Sequence, residues 1–217
     1  MVALNEVLRV FISSKQREFA VEREGMVRII ERLPLLAADA AEEWAPGRGE
    51  VEQTYLARVQ AAPIYVGLFG GVYSAPTIAE YEAARANPYR EILIYVKGIQ
   101  AVEPELAAFL ARIDDPKAGH TTKHYRDWAE LAPVFERHLW AAVQRMVDYA
   151  LRLADAAPTA RSGRSSVLQR KWAREQAHLA QLGLPVQDGA ASTRAWVDEA
   201  RQTLATFARA TGFPGTV

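Results

Sequence analysis

The chain reads as an α/β protein: a parallel sheet of about five strands interleaved with helices, followed by a C-terminal α-helical extension. Three observations predict this. Short β-rich apolar runs alternate with helical patterns four or five times before residue 128, the order that builds right-handed βαβ units. The first of these runs shows little alternation between polar and apolar residues, as expected of a strand covered on both faces. Beyond residue 128 only helical periodicity remains. The division predicted is therefore an α/β domain over 1–128 and a helical extension over 129–217.

The first strand is predicted over Val7-Leu-Arg-Val-Phe-Ile12, stopping at Ser13-Ser14. Ser13 with Gln16 three residues on fits a capping box, so a helix is expected to start there. Phe19, Met26, Ile29, Ile30 and Leu33 recur at helical spacing until Pro34. Leu35 to Ala38 supplies a short second strand. Asp39 to Glu50 reads as a long loop, because Pro46, Gly47 and Gly49 interrupt any regular element. Trp44, flanked by Glu42 and Glu43, is unusual content for a connector; it either packs the loop down or faces a ligand.

Val51 to Ala62 is an amphipathic helix. Ile64–Phe69 is a strand that breaks at Gly70-Gly71 and leads into a helix over about 77–86, closed by Pro88. Glu91 to Val96 is the clearest strand, and Glu103 to Ile113 the next helix, with Pro104 tolerated in its first turn. His120 to Tyr125 gives a short edge strand. Three helices follow, over 129–154, 167–182 and 193–210, the last two each with one tryptophan, Trp172 and Trp196. These are expected to bury against the domain or against a second copy.

Composition excludes several classes. The 217 residues contain 26 Lys plus Arg against 26 Asp plus Glu, so no global field draws the protein to nucleic acid. Arg161, Arg164, Arg170, Lys171 and Arg174 form a local basic run that reads as a solvated face. Absence of cysteine removes disulfides, thiolate metal sites and thiol nucleophiles. No apolar run approaches the roughly 18 residues of a membrane span, and the start lacks the pattern of a signal peptide. A cytoplasmic protein without membrane contact is expected, and the four histidines show no metal-ligand spacing.

The stretch from Pro63 to Ala84 carries the chemistry. In a flavodoxin-like order 2-1-3-4-5, strands 1 and 3 flank the point where the sheet reverses direction, and ligands bind there. Ser13 and Ser14 end one of these strands; Gly70 and Gly71 end the other. The amides of a helix starting near Ser14 offer a phosphate site. Gly70 and Gly71 allow close backbone approach to a ligand. Glu80, one turn into its helix, brings a carboxylate to the same space. It fits equally a plain N-terminal carboxylate favoured by the helix dipole, worth about 0.3–1 kcal/mol. Ser13 likewise fits a plain N-cap, and Tyr73 either lines the pocket or packs under the loop.

With these elements placed, a resemblance appears. Arg9-Val-Phe-Ile-Ser-Ser14, then Glu18-Phe19 and Glu22-Arg23, resembles the opening of an uncharacterised family with a TIR-like fold, found also at the N-termini of some NACHT and WD-repeat proteins. Gly71-Val-Tyr73, Thr77-Ile-Ala-Glu80-Tyr81 and His124-Tyr-Arg-Asp-Trp128 resemble its later signatures. The likeness covers about residues 7 to 150. Ser74 and Glu80 are similar in spacing to the Ser and catalytic Glu of Toll/interleukin-1 receptor (TIR) domains. Thr77 and Glu80 are similar to the Thr-x-x-Glu of nucleoside deoxyribosyltransferases. Pro76-Thr77 stands where TIR domains have Trp-Cys, and the Gly before the transferase Thr is absent.

The resemblance implies a nucleotide N-glycosidase acting on NAD or a related nucleotide, in stress or antiviral signalling. Glu80 is then the catalytic carboxylate. Ser13, Ser14, Gly70, Gly71, Tyr73, Thr77 and Trp44 contact substrate. NAD is a substrate and no cofactor is required. The implied partners are the nucleotide and a second copy or a helical protein. The alternatives are a self-associating scaffold that keeps the fold without turnover, or a nucleotide sensor.

Overall fold

The computed structural model describes residues 7–40, 51–98, 101–114, 120–156, 166–184, 186 and 189–212. Its centre is a five-stranded sheet of order β2-β1-β3-β4-β5, every neighbouring pair parallel. The strands are β1 (Leu8–Ser13), β2 (Leu36–Asp39), β3 (Ile64–Phe69), β4 (Glu91–Lys97) and β5 (Thr122–Tyr125). The helices are α1 (Ala20–Arg32), α2 (Val51–Ala61), α3 (Ala75–Arg85), α4 (Pro104–Ile113), α5 (Trp128–Asp155), α6 (Ser166–Gln181) and α7 (Ala190–Thr211).

The sheet is buried on both faces, so its strands carry apolar side chains at odd and even positions alike. Val10, Ile12, Ile64, Val66 and Leu68 face a core shared with α1 and α5. Phe11, Tyr65, Phe69, Ile94 and Val96 face the opposite core, closed by α2, α3 and α4. The long helix α5 buries Leu131, Phe135, Leu139, Val143 and Met146 in the first of these cores. It therefore forms a layer of the sheet domain and, further along, the seat for α6 and α7. Trp196 of α7 is buried in the same continuous core, and Trp172 of α6 donates its indole N–H to Leu153 O at 3.0 Å. The two helices thus pack within the chain, as one of the two expected arrangements had it.

Several predicted boundaries move, three of them for a clear local reason. Helix α1 begins at Ala20 rather than near Ser14, because residues 15–19 form turns closed by Glu18 N–H to Lys15 O at 3.0 Å and Phe19 N–H to Gln16 O at 3.3 Å. Ser13 stays in β1 and caps no helix. Strand β2 starts one residue late because Leu35, after Pro34, adopts φ 72°, a left-handed conformation outside the strand region. Helix α3 starts two residues early, at Ala75, with Pro76 in the first turn, where its missing N–H leaves nothing unpaired. The start of α5 is capped by Asp127, whose side chain accepts from the Glu130 amide at 3.0 Å. Among the described residues no helix is long and apolar enough to cross a membrane.

Candidate functional site

At the carboxyl ends of β1 and β3, Ser13 Oγ donates to Glu80 Oε2 at 2.5 Å, joining residues 67 apart in sequence. Both are buried: Ser13 is 1% and Glu80 7% exposed. The sheet brings the two elements together. Ser13 pairs with Gly67 in the β1–β3 register, and α3, entered through the turn after β3, lays its first turns back over that edge. Glu80 lies on the inward side of α3 with Thr77, Tyr81 and Ala84.

Burial raises the Glu80 pKa from its ordinary 4.5, against the Ser13 hydrogen bond and the nearby Arg23 guanidinium, which both pull it down. Tyr65 lies beneath the pair. Its ring stacks on Phe11 at 6.3 Å, and its hydroxyl lies fully buried beside Ser13 and Glu80 without a hydrogen bond of normal geometry. Burial, with a smaller push from the Glu80 carboxylate, holds that phenol well above its ordinary 10.

Outside the pair opens a cleft of about 820 Å³, within the range that accepts a nucleotide-sized ligand. One wall is the β1–α1 loop, Ser14 to Arg17; another is Tyr55 and Leu56 of α2; the third is the start of α3, Ser74 to Thr77, Ala79 and Glu80. Thr77 is buried and donates its hydroxyl to Ser74 Oγ at 2.9 Å.

Of the residues predicted to form the site, Glu80, Ser14 and Thr77 line this cleft, and Ser13 lies directly behind Glu80. The others do not meet there. The close approach at Gly70 is made by Glu18: a Cβ on Gly70 would lie 2.6 Å from Glu18 Cδ. Glu18 Oε1 also accepts the Gly71 amide at 3.0 Å. The void beside Gly70 measures only about 10 Å³, room for no more than a water. These glycines therefore admit a side chain of the protein itself. Tyr73 is an outer residue, 37% exposed, its backbone amide held by Glu103 Oε2 at 2.7 Å, and it is not part of the cleft lining. Trp44 and its two glutamates lie outside the described residues. The phosphate site expected at the start of α1 is also displaced, because the helix starts six residues after Ser14.

Two contributors escaped the sequence reading as site residues. Arg23 is 4% exposed and donates through Nη1 to Ile12 O and to Ser14 Oγ, both at 3.0 Å. It ties α1 to the end of β1 and places a buried positive charge near Glu80. Tyr65 gave one signal, a hydroxyl inside an otherwise apolar strand run. The Glu18-Phe19…Glu22-Arg23 motif resolves into three ties at the carboxyl edge of the sheet: Glu18 to the loop after β3, Arg23 to the end of β1, and Glu22 to Lys97 at the end of β4, 2.7 Å apart. Because bonds to a charged donor contribute about 1.5–3 kcal/mol, Arg23→Ala is expected to cost about 2–3 kcal/mol in urea unfolding. Ser14 and Ile12 O lose their donor with it.

Residues 9–139 match the family described as Domain of unknown function (DUF4062). The chain belongs to this family. The DUF4062 match takes in the sheet except Leu8, the first residue of β1, and ends within α5, so Ser13, Arg23, Tyr65 and Glu80 all lie inside it. Helices α6 and α7 lie beyond the DUF4062 span. Comparison with curated proteins and with solved structures returns no significant match.

A second cleft, about 450 Å³, opens beside α6 at the amino end of the DUF4062 sheet. Its prominent cation, Arg90, donates to the carbonyls of Gln60, Ala62, Ala83 and Ala84, closing the C-terminal ends of α2 and α3. Burial pushes that guanidinium down to about 10. It serves as a brace between helices and offers no free fork to a ligand. Among the described residues, no group of three or more His, Asp or Glu is placed to hold a metal ion.

Proposed function

We propose that this chain is a nucleotide N-glycosidase of TIR-like descent, cleaving the bond between ribose C1′ and the base nitrogen of NAD or a related nucleotide. The observation that carries the reading is a buried carboxylate, Glu80, oriented by Ser13 and facing a nucleotide-sized cleft at the point where strand order reverses.

In the proposed reaction the C1′–N bond breaks and its electron pair goes to the base nitrogen. With NAD this cancels the pyridinium charge, so nicotinamide departs neutral and needs no acid. The ribose is left with oxocarbenium character, which the ionised Glu80 stabilises or traps. Water then adds through its oxygen to C1′ and releases one proton, giving ADP-ribose. Ser13 holds the carboxylate in one orientation, and the nearby Arg23 favours its ionised form. A cytoplasmic role in a stress response is part of the same proposal.

The test is to incubate the purified protein with millimolar NAD and follow nicotinamide release, with Glu80→Gln alongside. Release by the wild type and none by the variant supports the reading. Equal release by both sinks it. Binding of nucleotide without release by either protein turns the cleft into a sensor.

A further inference from the structure

Of the two hydroxyls expected to hold phosphate, Ser13 donates its proton to Glu80, and Ser14 accepts from Arg23. The outer cleft wall has two other candidates. Lys15 and Arg17 are exposed, line the cleft, and form no ion pair among the described residues. Among the described residues Glu80 is the single acid in that lining, and it is buried. Among the described residues the cleft is therefore polarised, with a carboxylate inside, two exposed cations at the lip, and the partly apolar wall of Tyr55 and Leu56. A free nucleoside leaves the cationic lip without a partner. A 5′-phosphorylated nucleotide with its ribose at Glu80 would supply one.

We infer that Lys15 and Arg17 form a phosphate-binding lip that selects 5′-phosphorylated nucleotides over free nucleosides. This rests on the glycosidase orientation proposed above, with the ribose at Glu80. It assigns the anion contact to the β1–α1 loop, whose turn geometry presents Lys15 and Arg17 on the cleft side. Arg supplies a fork that matches phosphate oxygens, and Lys a compact charge. Both are solvated, so the selectivity is screened by salt.

The experiment titrates adenosine 5′-monophosphate, adenosine and inorganic phosphate into Glu80→Gln protein, which blocks turnover, by calorimetry at low ionic strength. The monophosphate is expected to bind at least about tenfold more tightly than either other probe, as charge-assisted bonds allow. Adding Lys15→Ala and Arg17→Ala should erase the preference and leave adenosine affinity unchanged. Both positions are exposed, so unfolding curves should not move. Equal affinity for monophosphate and adenosine, a preference that survives the double substitution, or no binding of either overturns the lip. Nucleobase release by the wild type, measured separately on nucleosides and nucleotides, keeps the two ideas apart. Glu80-dependent release without phosphate preference leaves the glycosidase standing and removes the lip. Cation-dependent phosphate preference with no release from any substrate does the reverse.

Discussion

Glu80→Gln is expected to lower nucleobase release by about 10³-fold or more while raising the thermal stability of the protein above neutral pH. The loss follows from removing the negative charge that faces the developing oxocarbenium; single electrostatic contacts of this kind are worth about 10²–10³ in rate, and a nucleophile more. The gain follows from burial. The Glu80 carboxyl is pushed above its ordinary range because the folded state desolvates the charge, so its folded pKa lies above its unfolded one. The stabilising contribution of such a group is fully present below the unfolded pKa and is lost as pH rises through the folded pKa.

Glutamine keeps an oxygen to accept from Ser13 and carries no charge to bury. The melting temperatures of wild type and variant should therefore coincide near pH 4 and separate as pH rises through the raised pKa. The variant is then the more stable protein by about 2–4 °C, the shift that about 1 kcal/mol gives at this chain length. For the same reason the acid limb of the wild-type rate profile should lie above the ordinary carboxylate range. A variant that is less stable at every pH would mean that Glu80 is a structural residue satisfied by its neighbours. Melting curves at matched pH values decide this without any substrate.

The second large effect lies where α1 meets α5. Gly25 is buried in mid-helix, and a Cβ there would fall within the indole of Trp128, 2.8 Å from Nε1 and closer still to the ring carbons. Two terms of opposite sign compete. Alanine gains about 1 kcal/mol over glycine in a helix interior. Forcing a methyl into a packed ring costs about 1–3 kcal/mol and lifts the first residue of α5 off its seat. The clash wins, because the indole is a rigid plate packed against the core rather than the tip of a flexible chain. Gly25→Ala is expected to cost about 1–2 kcal/mol in urea unfolding.

The same substitution made on top of Trp128→Ala should stabilise by a few tenths to about 1 kcal/mol, because only the helix propensity remains. The resulting coupling of about 2 kcal/mol sits within the range for touching residues. Additive effects would show that the ring does not occupy the space above Gly25. The consequence reaches the site, since Glu22 and Arg23 precede Gly25 by three and two residues on the same helix.

Those residues also show what was readable in advance. Strand β3 was placed to the residue, from Ile64 to Phe69, because an apolar run bounded by Pro63 and Gly70 has one plausible register. Alternation and the right-handed crossover rule set a parallel α/β sheet, and its strand order is the flavodoxin-like one assumed for it. Glu80 and Ser13 could both be nominated because each sits just beyond or at the carboxyl end of a central strand. The capping box at Ser13 could not be weighed correctly. A serine three residues before a glutamine satisfies the local rule, but here a carboxylate 67 positions away takes its hydroxyl. Gly70 misled for a related reason. A glycine at a strand end signals close approach, and nothing local says whether a ligand or Glu18 makes it.

The amino-acid sequence by itself determined the α/β class, the parallel sheet, the helical C-terminal part and the nomination of one carboxylate near the reversal of the sheet. All of these rest on periodicity, turn residues and handedness, which act over a few residues or a single crossover. Only the tertiary structure decided the partners. It gave Glu80 to Ser13, Glu18 to the glycine turn, and Arg23 to Ser14, and left Lys15 and Arg17 facing the cleft. Hydrogen bonds and charges at the carboxyl edge join loops that are far apart along the chain. Which of them pair is settled by the packing of α1 and α3 on the sheet.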